Sequence, residues 1–122
     1  MKIAELARQV RLAHSRIGGR VRRTPVIEAS VPTPYGPRQI VFKLEHLQYS
    51  GSFKARGALN TVLGAAERGE IGKAGVAIAS GGNAGIAAAW AAAQIGCHAA
   101  VFVHGRSPQA KIDRLRSLGA EV

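Results

Sequence analysis

The feature that most narrows the fold is the rhythm of the chain after Gly75, where short apolar runs alternate with longer runs and glycines close them. Residues 76–79 and 99–103 are apolar and too short for helices. Residues 83–95 and 108–118 are long enough for about three helical turns, and they stop at Gly96 and Gly119. Pro108 stands where the first turn of a helix tolerates a residue without an N–H. Parallel strands cannot be joined by a tight turn, so strands separated by helices of this length build a parallel sheet covered by helices. Residues 118–122 read as a further strand about to begin. The expected fold class is α/β, a parallel sheet with flanking helices, incomplete in this chain.

The first half reads differently. Residues 2–17 are amphipathic, with Ile3, Leu6, Ala7, Val10, Ala13 and Ile17 on one side and Arg8, Arg11 and Arg16 on the other. Gly18-Gly19 supplies the stop. Thr24-Pro25 sets residues 22–27 extended, and three prolines and a glycine make 30–37 a loop. Residues 39–44 alternate apolar and polar, the pattern of a half-buried strand. A Ser50-Gly51-Ser52 turn then opens a helix at Phe53-Lys54, ending near Arg68-Gly69. The charged, glycine-punctuated stretch 67–75 is the expected boundary between two domains, residues 1–68 and 74–122.

Net charge is +10, with seven Lys/Arg and one Glu in the first 23 residues. A balance this basic suits nucleic acid, but no aromatic residues interleave with the arginines to stack bases, so no nucleic-acid partner is expected. An apolar content of 47% excludes a disordered chain. Cys97 is the one cysteine; it forms no internal disulfide, suits a reducing cytoplasm, and reads as a buried small hydrophobe. The alanine-rich run 84–95 is too short to span a bilayer, so no membrane partner is expected. His14, His46, His98 and His104 are spaced for no metal site.

Two segments carry chemistry. Lys54 opens an amphipathic run (Ala55, Ala58, Leu59, Val62, Leu63, Ala66), so it sits at the positive end of a helix dipole. That placement favours the neutral amine that an imine-forming lysine must supply; the plain alternative is a solvated lysine snorkelling to water. Ser80-Gly81-Gly82-Asn83-Ala84-Gly85 joins a strand to a helix start, where free N–H groups favour an anion. It lacks the spacing of a dinucleotide fingerprint. Asn83 could simply cap that helix, and the cap and ligand roles are compatible.

The string 43–58, with Ser-Gly-Ser-Phe-Lys-Ala-Arg-Gly at its end, closely resembles the lysine motif of the pyridoxal-phosphate-dependent serine/threonine dehydratases, a fold type II, tryptophan synthase β-like family. Residues 75–96 resemble that family's Ser-x-Gly-Asn loop and its helix, and 108–122 the next helix and strand start. The resemblance implies pyridoxal 5′-phosphate as cofactor and Lys54 as its covalent attachment and the base that removes the substrate α-proton. It also implies that Phe53 lies against the pyridine ring, with an ordinary core phenylalanine as the alternative. Ser80, Gly81, Asn83 and Ala84 then form the substrate-carboxylate loop, Asn83 also reaching the cofactor's phenolic oxygen. The expected activity is deamination of L-serine or L-threonine to a 2-oxoacid and ammonia, in a homodimer when full length. The loop Asn is followed here by Ala84 rather than the His of threonine dehydratases and serine racemases. Racemases carry Ser at the position of Gly81, which disfavours racemisation. Threonine synthase, a β-replacement enzyme, a racemase, an inert fragment and a basic interaction module remain alternatives. The family's phosphate-binding loop lies later in sequence, so these 122 residues alone are expected to bind the cofactor weakly or not at all.

Overall fold

The computed structural model describes residues 3–122. Helix α1 spans Ile3–Ile17; the expected first residue, Lys2, lies outside the described residues. Strands β1 (Val26–Val31) and β2 (Arg38–Lys43) form an antiparallel ribbon, with Val26 opposite Lys43 and Val31 opposite Arg38. Two 3₁₀ turns, Glu45–Leu47 and Tyr49–Gly51, lead into α2 (Lys54–Glu67). Then follow β3 (Val76–Ala79), α3 (Asn83–Gln94), β4 (Ala99–Phe102) and α4 (Gln109–Ser117).

Strands β3 and β4 pair in parallel, with α3 as the crossover. Beyond α4 the Val101 N–H donates to the Glu121 carbonyl (2.8 Å) and the Glu121 N–H to the Ala99 carbonyl (2.9 Å). Glu121 thus makes a parallel bridge to Ala100 of β4, at the place where the sequence reads as a strand start. Gly69, Gly96 and Gly119 close the preceding helices with φ of +69°, +67° and +82°, the left-handed region that a Cβ penalises.

Helix α3 is hydrophobic around most of its circumference and is buried on two sides. On one, Trp90 and Ala91 pack with Ile17, Ala55, Leu59 and Val62. On the other, Ala89 and Ala92 pack with Ala99, Val101, Leu115 and Ala120. The helices on either side of stretch 67–75 therefore share one core cluster. Gly85 explains how closely α3 approaches the sheet, since a Cβ there would stand 1.9 Å from the Ser80 carbonyl oxygen.

Three expectations are corrected. Strand β1 runs through Ser30 and Val31, so the loop is only 32–37; the register opposite β2 extends the ladder to the prolines. Strand β2 is exposed along all six residues instead of half-buried, because no layer among the described residues covers the ribbon. Helix α1 is amphipathic, yet of its apolar side only Ile17 is buried and Ile3 is 87% exposed. Arg16, on its polar side, donates to Glu67 and Asn60 and ties the helix end to α2.

Candidate active site

The lysine loop is a tight reversal. Ser50 has φ +64° and Gly51 φ +77°, two successive left-handed residues of which only the glycine is free of steric cost. The hydroxyls of Ser50 and Ser52 are buried with no protein partner among the described residues. Phe53 precedes the first residue of α2, Lys54, as expected. The Lys54 ammonium lies 5.1 Å from the Phe53 ring centroid, within cation–π range. Phe53 is 59% exposed among the described residues.

The ends of this loop are joined. Arg56 donates to both oxygens of Glu45, Nε to Oε2 at 2.9 Å and Nη2 to Oε1 at 2.7 Å. The hydroxyl of Thr24, only 4% exposed, also donates to Glu45 at 2.5 Å. Lys43 donates to the Thr24 carbonyl. Gln48 accepts from the N–H of Arg22 and donates to its carbonyl. The hydrogen bonds from Arg56 hold the Glu45 carboxyl down at about 2, against an opposing push from burial. Tyr49 stacks on Trp90 at 5.4 Å between centroids, with the Arg22 guanidinium 4.4 Å from the Tyr49 ring centroid.

The second loop leaves β3. Gly82 is extended (φ −102°, ψ −161°) and holds the N-cap position of α3, with no side-chain cap. This corrects the reading of Asn83 as a cap. The helix begins one residue earlier than a capping asparagine requires, so Asn83 takes the first helical position and its exposed side chain is not spent on the helix end. The first-turn N–H groups of α3 have no partner within the helix. The Gly82 N–H donates to the Ser80 hydroxyl (3.3 Å). A Cβ on Gly81 would stand 3.2 Å from the Ser107 hydroxyl, which places the loop after β4 against this one.

An open groove of about 660 Å³ joins the two segments: Lys54, Ala58 and Thr61 line it from α2, Ala77 and Ile78 from β3, and Ala84 from α3. Lys54 and Ala84 thus face one space. Phe53, Ser80, Gly81 and Asn83 do not line it; Phe53 precedes Lys54 and Asn83 precedes Ala84, while Ser80 and Gly81 stand earlier in the same loop. A second cleft, about 490 Å³ beside β4 and α4, holds none of the motif residues. Among the described residues no three His, Cys, Asp or Glu side chains group to hold a metal. Cys97 is half-buried, and burial pushes its thiol pKa up.

The family model for pyridoxal-phosphate dependent enzymes matches residues 17–122. The chain belongs to this family. It is 38% identical to a putative threonine dehydratase of Sinorhizobium fredii over 90% of its own length and 32% of that protein. It is 34% identical to a serine racemase of Dictyostelium discoideum over 94% of its length and 35% of the relative. The crystal structure of a pyridoxal 5′-phosphate-dependent aspartate racemase superposes with a TM-score of 0.85 at 41% identity, covering 95% of this chain and 36% of that one. The chain therefore spans about a third of the relatives it matches, and its architecture is a partial fold type II enzyme.

The residues present fit covalent attachment of the family's cofactor, since the exposed Lys54 borders the groove, while the start of α3 across it suits a carboxylate. Sequence reasoning missed the parts played by Thr24, Gln48, Tyr49, Ser50 and Ser107. Only Ser50 had a local signal, its place before a glycine in a turn.

Proposed function

We propose that the whole protein is a pyridoxal-phosphate-dependent ammonia-lyase acting on L-serine or L-threonine. The observation that carries this reading is the shared groove between Lys54 and Ala84. Lys54 would hold the cofactor covalently, Phe53 would lie beside its ring, and Asn83 would donate to its phenolic oxygen. When bound, the cofactor supplies an electron sink for the Cα carbanion. The Ser80 hydroxyl and the N–H groups of Gly81 and Ala84 bind the substrate carboxylate at the positive end of α3. The Lys54 amine takes the α-proton as general base. The amino acid loses that hydrogen and its β-hydroxyl as water. Hydrolysis of the released enamine consumes one water and gives the 2-oxoacid and ammonia.

A second reading, racemisation, is favoured by the likeness to an aspartate racemase. Against it, Gly81 offers no side chain to return a proton on the face opposite Lys54. Chiral analysis of serine recovered during turnover separates the two: pyruvate with at most a trace of D-serine supports the lyase, and rapid accumulation of D-serine overturns it. We assign residues 1–68 to the large cofactor domain and 74–122 to the start of a small domain. The whole protein is assigned as a cytoplasmic homodimer with a small amino-acid substrate and no nucleic-acid partner. Among the described residues, no helix is long and apolar enough to cross a membrane.

A further inference from the structure

The loop that carries Lys54 is stapled across its base. Glu45 opens it and Arg56 closes it, eleven residues apart, with both guanidinium–carboxylate bonds in fork geometry. The same carboxylate takes the Thr24 hydroxyl, and the same guanidinium donates to the Arg22 carbonyl at 3.0 Å. Two outer segments of the chain, 22–25 and 44–48, are thereby fixed to the first turn of α2. Within the closed loop Ser50 keeps a left-handed conformation that a non-glycine residue holds only where its surroundings over-determine it. Arg56 follows Lys54 by two residues, about 200° around the helix. The staple therefore grips α2 from the side opposite the lysine, leaving Lys54 to line the groove. Ala55 between them is fully buried, so the helix start is held from two directions.

We propose that Glu45 and Arg56 are positioning residues for Lys54, their ion pair fixing the rotation of the first turn of α2 and hence where the amine stands in the groove. The inference rests on the reading of Lys54 as the reacting lysine. A role in stability alone would leave the surroundings of Lys54 unchanged in any variant that still folds.

The test uses the whole protein before cofactor is added and measures, by peptide mass, how fast a small neutral acylating reagent modifies each lysine. Lys73 and Lys111 serve as internal standards. In Glu45→Gln, which keeps the shape and loses the charge, the rate at Lys54 should change by about tenfold relative to those standards. Arg56→Lys keeps the charge and loses the fork, and should not rescue it. Where either fails to melt cooperatively, Glu45→Asp, which shortens the reach, should show the same selective change. Equal changes at all three lysines, or none at Lys54 in a folded variant, overturn the proposal. Borohydride trapping of added pyridoxal phosphate on the unmodified protein, run in parallel, tests the functional reading separately: an adduct away from Lys54 defeats that reading, while the lysine rates still decide the positioning claim.

Discussion

Single residues divide the work between holding shape and meeting ligand. Asn83 is released from helix capping because Gly82 already takes the extended cap conformation. Asn83→Ala in the whole protein should therefore weaken cofactor binding while changing stability by less than about 0.5 kcal/mol, below the typical cost of losing a cap. Denaturant melts and a cofactor titration check this; a stability loss with unchanged cofactor affinity would make Asn83 structural. Gly81 is proposed as a selectivity position. A serine Cβ there meets the Ser107 hydroxyl at 3.2 Å, a contact that a turn of that short side chain can relieve. Gly81→Ser should raise racemisation relative to elimination, and Ser107→Ala added to it should raise it further. Chiral chromatography against pyruvate release measures the ratio, and an unchanged ratio in both variants would remove Gly81 from the account.

Elements set how these residues meet. Helix α3 passes between two core clusters, with Leu59 and Leu115 fully buried on opposite sides of it. Leu59→Ala should cost about 2–5 kcal/mol through lost burial and a residual cavity, read from urea denaturation; a cost below about 1 kcal/mol would mean that α2 packs elsewhere. The strand–helix alternation after Gly75 was legible because each element is local in sequence and closed by its own glycine. The lysine motif and the Ser80–Ala84 loop were legible for the same reason. Burial on α1 and β2 was not, since periodicity says which side is apolar and not whether a layer covers it. The bonds that join Thr24 to Glu45 and Arg22 to Gln48 link positions more than twenty residues apart, a separation at which composition and spacing carry no signal.

For the whole molecule, the Glu45 staple couples stability to pH. Its carboxyl is held at about 2 against an ordinary value of 4.5, so its contribution is complete above about 4.5 and is lost as pH falls toward 2. Unfolding free energy should drop by a few kcal/mol over that window, with Glu45→Gln flattening that part of the profile. An unchanged slope in the variant would contradict the assignment. The central claim is that Lys54 carries the cofactor in a site shared with the Ser80–Ala84 loop. The most direct measurement is borohydride reduction of the whole protein with pyridoxal phosphate, followed by peptide mapping and an assay of Lys54→Ala. The account predicts one adduct, on the peptide holding Lys54, and loss of both adduct and turnover in the variant. An adduct on another lysine, or substantial deamination by Lys54→Ala, would contradict it.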